Sequence, residues 1–189
     1  MAERLSALTP TETVAVPVAA DEPAGGRAPH VDAAAPLTFA QALTLLDTIP
    51  GVDRRGAEML VAEIGTAMRR VGTAARLAAW AGVAPGNDAS AGKRRSGTTR
   101  KGNRALRTGL VPLAHSATHT KGTYLATLFR RLAARRGKQR AMIAVAHSIL
   151  VRVFSILVRH EPYRELGATH FDRLRHSQSV EHLTRRLEQ

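Results

Sequence analysis

Apolar residues recur along this chain every three or four positions, which is a helical period and not a strand period. The segment TFAQALTLLDTI predicts a short helix that ends before Pro50. RRGAEMLVAEIG predicts a second, closed by Gly65, and TAARLAAWAG a third, capped by Thr73 and ended at Gly82. From Val83 to Lys101 the pattern lapses into a loop of Gly, Ser and basic residues. NRALRTGLVPLAHSATH restores the helical period, with Pro112 as a kink or a break. TYLATLFRRLAARRG follows. The longest helix is expected from Lys138 to Arg159, where Met142, Ala146, Ile149, Val153 and Ile156 form a packing seam. No strand alternation and no internal repeat is visible, so the expected class is all-α. Three regions follow: a disordered tail over 1–37, rich in Ala, Pro and Gly; a helical domain over 38–162; and a polar tail over 163–189, with a frayed helix near 180–187.

Composition narrows this picture. The 189 residues suffice for one domain with a sizeable core. Aromatics make up only 4%, so that core must be Ala, Leu, Val and Ile, which favours close packing through small side chains. Without cysteine there is neither disulfide nor thiolate metal site. The N-terminus lacks a secretory pattern, and no uninterrupted apolar stretch looks long enough to span a bilayer. The cytoplasm is the default location, with no membrane partner.

Charge changes the picture most. The formal net charge is +13. From Ala89 to His160 there is no Asp or Glu, yet sixteen Lys and Arg. A solvated basic face normally interleaves carboxylates. A stretch with none repels itself until a polyanion neutralises it, and nucleic acid is the natural partner.

Within this frame LDTIPGVDRRGAEMLVAEIG resembles a helix-hairpin-helix, whose turn aims backbone N–H groups at a phosphate. Asp53 stands where that motif usually has a second glycine, and a carboxylate there repels phosphate. Arg54 and Arg55 would partly compensate. A hairpin used only for packing accounts for the pattern equally well. The basic run is stronger: Lys93, Arg94, Arg95, Arg100, Lys101, Arg104 and Arg107, with Gly92, Gly97 and Gly102 allowing close approach to phosphates. Arg104 and Arg107 share a helix face. A second cluster, RRLAARRGKQR, places Arg131 and Arg135 on one face, and a solvated helix end competes with phosphate contact there. His115 and His119, four apart, would meet on one metal, but no Cys, Asp or Glu nearby completes a site. His147 reads as a partly buried polar residue. Ser90 lies among small residues just ahead of the basic run. A serine nucleophile needs a base or a strong field, and arginines would stabilise charge developing on a phosphate. Asp88 is the nearby carboxylate; a turn-forming Asn87–Asp88 pair is the preferred reading of it over a general base.

These residues together resemble one family. LLDTIPGVDRRGAEMLVAEIG, then LAAWAGVAPGNDASAGKRRSGTTRKGNRALR, then a helical finish, is similar to the C-terminal domain of bacterial DEDD-type insertion-sequence transposases, relatives of the Piv and MooV invertases and also called bridge-RNA-guided recombinases. The resemblance spans about Leu43 to Pro162. It implies a serine that attacks DNA and forms a transient phosphoserine link, and Ser90 matches that serine. Ala89 and Ala91 flank it where family members often have Ser-Ser-Gly-Gly, and Ser96 ranks well behind. The resemblance further implies DNA as partner, a guide RNA, and a RuvC-like domain whose four acidic residues bind divalent metal. Nothing before Leu43 has the character of that acidic domain. The chain itself is therefore expected to bind no cofactor, and Mg²⁺ only with a separate acidic domain. A homo-oligomer is expected, since recombinases act as multimers and the seam helix permits a helical dimer. Two functions follow: a serine transposase domain, or a truncated, non-catalytic binder of DNA or RNA. An unfolded relic is the third and blandest.

Overall fold

A computed structural model describes residues 36–85, 88–90, 93–96, 99, 101–174, 176 and 184. Six α-helices carry the fold: α1 (Phe39–Leu46), α2 (Arg54–Ile64), α3 (Ala74–Trp80), α4 (Arg104–His119), α5 (Tyr124–Arg136) and α6 (Lys138–Arg159). A 3-10 turn, Met68–Arg70, precedes α3. All belong to one unit, Val31–Gln189. The class is all-α, as the periodicity predicts, with one departure in the expected loop: Asp88–Ser90 (β1) and Lys93–Ser96 (β2) pair as an antiparallel hairpin. The expected tail over 1–37 falls, up to residue 35, outside the described residues, as does nearly all of the expected helix near 180–187.

Helix starts follow local chemistry. Thr38 and Gln41 form a capping box on α1, and Thr73 and Thr123 cap α3 and α5 through their hydroxyls. Pro112 does not break α4, which runs through it as one helix. Its ring is on an exposed position, so it does not disturb the buried side of the helix.

The long helix α6 is the centre, packing against α1, α3, α4 and α5. Its seam residues Ala146, Ile149 and Val153 are fully buried and Ile156 nearly so, while Met142 is half-buried. Alanines close the helix contacts: Ala42, Ala57, Ala78, Ala81, Ala114 and Ala117 are all wholly inaccessible. Where no Cβ fits, glycine stands, as where Gly56 abuts Leu113. By length and composition α6 is long and apolar enough to cross a membrane, contrary to the expectation from the sequence. Within 141–158 Arg152 is the one Lys, Arg, Asp or Glu, and half of that apolar window is buried inside the protein.

The expected polar tail also joins the core. Phe171 is buried and packs with Tyr124, ring centroids 5.0 Å apart. The Glu165 carboxylate accepts from the backbone N–H groups of Tyr124 and Gly167, both at 2.8 Å, satisfying the first turn of α5. Thr48 Oγ1 accepts from the Tyr163 N–H at 2.9 Å.

Burial on α6 holds the His147 imidazole below its ordinary value. The unfolded chain therefore takes up a proton more readily than the folded one. Stability from this residue is complete above about pH 6.5 and is lost as pH falls through that value and below. Thermal midpoints measured between about pH 5 and 8 should drop on the acid side, and His147→Leu should flatten that part of the profile.

Candidate nucleic-acid interface

The basic run is anchored at its C-terminal root by a small set of contacts. Asn103 caps α4: its Oδ1 accepts from the Leu106 N–H at 3.1 Å. Its side-chain amide donates to Glu63 Oε2 on α2 at 3.0 Å, and its backbone N–H donates to the Trp80 carbonyl at 2.8 Å. One residue thus ties α2, α3 and α4 together. Gly102 completes the joint. A Cβ on it would stand 2.3 Å from Gly82 N and 2.6 Å from the Ala81 carbonyl carbon, so the end of α3 and the approach to α4 touch through backbone alone. The sequence suggests Gly102 as a point of close phosphate approach. In the fold, Gly102 and Asn103 are the supports of that surface. Asn103 does leave a signal in the sequence, as an N-cap residue directly ahead of a helical period, but its partner Glu63 is forty residues away.

At this joint Lys101, just ahead of α4, and Arg104, its first residue, are exposed to solvent, with Arg107 half-buried one turn on. None of the three forms an ion pair among the described residues. The first turn of α4 carries no acidic residue. Cations at the positive end of a helix dipole repel it, and an external anion removes the penalty. Arg100 lies outside the described residues.

Upstream, the hairpin fixes the backbone of the candidate serine. Ser90 pairs directly with Lys93, and Ala89 with Arg94. Directly opposed residues in such a ladder have Cα atoms about 4.5 to 5.5 Å apart. The register then shifts, so Asp88 faces Ser96 and Arg95 is the extra residue. Asp88 therefore belongs to a strand and not to the turn that its Asn-Asp context suggests. The structure thus brings Ser90, Lys93, Arg94 and Arg95 onto one hairpin, Arg104 and Arg107 onto the start of the following helix, and Lys101 just ahead of it.

The other candidates are used internally or stand apart. Asp53 caps α2, its Oδ1 accepting from the Gly56 N–H at 2.8 Å, so the helix end that would hold a phosphate already holds a carboxylate. Pro50 and Gly51 form the middle of a turn closed by Val52 N–H to the Ile49 carbonyl at 3.0 Å, with Gly51 at φ +84°. A Cβ on Gly51 would meet Ala117 N at 2.3 Å, so the turn seats on α4. In the second cluster, the Arg131 guanidinium lies 4.5 Å over the Phe171 ring, and Arg130 donates to the Ala126 carbonyl and to Thr127 Oγ1, both at 3.4 Å. The His115 and His119 rings lie tilted at 42° with centroids 4.6 Å apart along a shallow groove of about 540 Å³ on the C-terminal half of α4. His119 Nδ1 is 2.8 Å from the His115 carbonyl and is thereby engaged.

No curated protein matches this chain. Residues 43–130, which run from α1 through the hairpin and α4 into α5, match the family described as Transposase IS116/IS110/IS902, and that match supports an insertion-sequence transposase of this family.

Proposed function

We propose that this chain supplies the DNA-gripping and strand-joining surface of an insertion-sequence transposase, with Ser90 as nucleophile. The observation that carries the reading is the hairpin itself: it holds Ser90 opposite Lys93, beside Arg94 and Arg95, inside the segment that matches the family. Lys93, Arg94, Arg95, Arg100, Lys101, Arg104 and Arg107 grip phosphates, and no carboxylate within the run from Ala89 onward competes with the DNA for them. In the joining step the Ser90 oxygen attacks a backbone phosphorus. One P–O ester bond to serine forms as one P–O ester bond of the strand breaks. The serine proton passes to a base, and the departing oxygen gains a proton. The cations offset the charge that builds on the phosphoryl oxygens. Reversal by another strand end restores the serine and completes the exchange. Divalent metal, a guide RNA and a RuvC-like acidic partner complete the proposed assembly, which works on DNA in the cytoplasm as an oligomer.

A covalent nucleotide on Ser90 is the direct test. Protein recovered under denaturing conditions from cells that carry its element should yield a Ser90 peptide heavier by one nucleotide after nuclease digestion. An unmodified Ser90 peptide under conditions of active transposition would refute the nucleophile.

A further inference from the structure

Trp80 is the chain's one tryptophan, and it stands 47% exposed at the last turn of α3. A smaller helix former would serve that position better, since exposed aromatic surface stabilises nothing in the fold. Its place is specific. The Trp80 carbonyl receives the N-cap N–H of α4, so the residue sits at the root from which Lys101 and Arg104 project. Arg76, one turn earlier on α3, is also exposed and, like them, forms no ion pair among the described residues. Phe39 is exposed to a similar degree, 54%, but PLTFAQA around it carries no charge. Trp80 therefore combines a half-open ring with Arg76 on its own helix and Lys101 and Arg104 on the adjoining segment, while the Glu63 carboxylate at this joint is taken up by the Asn103 amide.

That combination fits a ligand with a flat face and an anionic backbone. A duplex hides its base faces in the stack, whereas an unpaired nucleotide offers one to an aromatic ring while its phosphate meets the cations. We propose that Trp80 stacks on an unpaired base of a nucleic-acid strand gripped by the adjoining basic surface. The proposal rests on the nucleic-acid reading above and adds to it the form of the substrate: a strand that has left its duplex, as a strand being exchanged must, or a single-stranded RNA.

With a single tryptophan, intrinsic fluorescence reads this ring alone. The full chain would be titrated with a mixed-sequence DNA single strand of about 16 nucleotides, with the RNA of the same sequence, and with the DNA duplex. One or both single strands should quench Trp80, and the duplex should barely do so. The strand that quenches more strongly identifies the source of the base. By anisotropy of labelled probes, Trp80→Ala should weaken binding of the quenching strand roughly tenfold or more, with little effect on duplex. Trp80→Phe should restore most of the loss, which separates stacking from misfolding. Equal quenching by duplex, or equal weakening of every probe by Trp80→Ala with no recovery in Trp80→Phe, overturns the proposal. So does quenching that follows protein concentration without nucleic acid, which would assign the ring to a contact between chains. Failure of the underlying reading looks different: Lys93→Ala, Arg94→Ala and Arg95→Ala together would leave all three affinities and their salt dependence unchanged.

Discussion

Ser90→Ala is expected to abolish strand joining while leaving nucleic-acid affinity within about twofold of the parent chain. The substitution removes one oxygen from a position whose backbone is already fixed by pairing with Lys93. Alanine suits a short strand end, and residue 89 beside it is already alanine. Binding, in contrast, comes from charges that the substitution leaves in place. Loss of a covalent nucleophile commonly lowers the rate by a factor on the order of a thousand or more. The informative comparison is the triple substitution Lys93→Ala, Arg94→Ala and Arg95→Ala. It should keep the serine, weaken binding at every sequence, and reduce the slope of log affinity against log salt by about 2 to 3, at roughly 0.7 to 0.9 for each phosphate no longer neutralised. A joining assay on supercoiled donor DNA, paired with a salt titration, reads both. Joining retained by Ser90→Ala would dismiss the nucleophile. Binding by the parent chain with no joining and no adduct would leave a protein that occupies DNA or RNA without cutting it.

Gly51→Ala is expected to destabilise the fold by about 3 kcal/mol or more. Two costs add. The residue sits at φ +84°, where an L side chain loses roughly 1 to 2 kcal/mol. The new Cβ would also stand 2.3 Å from Ala117 N and 2.5 Å from its Cα, and backbone in the packed face of α4 cannot swing aside as a side-chain tip can. Overpacking of this kind costs about 1 to 3 kcal/mol. Denaturant midpoints would measure the loss. Below the lowered midpoint, DNA affinity should match the parent chain, because the turn packs on α4 and the Asp53 carboxylate holds the α2 terminus. An undiminished midpoint combined with weakened DNA binding would restore the turn as a phosphate contact.

Both expectations concern positions whose roles depend on more than their neighbours in the chain, and the division between local and distant roles has a physical pattern. The cap at Thr73 and the glycine stop at Gly65 act within one helical turn, so a linear reading finds them, and the caps at Thr38 and Thr123 work over the same short range. The seam of α6 is equally local, because helix periodicity alone sets which residues share a face. The charge pattern is fully legible in the sequence, as is the place of Ser90 ahead of it. The hairpin is not. Its strands are three and four residues long and carry no alternation, so pairing depends on register and not on intrinsic preference.

The sequence by itself determined an all-α domain, the bounds of its longest helix, and a carboxylate-free cationic run with one serine at its head. These follow from short-range periodicity, capping and composition. Tertiary structure alone decided which of the basic residues face outward and which work inside the fold. Arg131 is engaged by Phe171, forty residues further along, and the polar Asn103, legible locally only as a cap, reaches Glu63 over the same separation, so neither long-range contact leaves a local trace. The same holds for Gly51 and Gly102, where the absence of a Cβ matters because another segment's backbone lies against it. Close approach between distant segments is a property of packing, and no window of the sequence contains it.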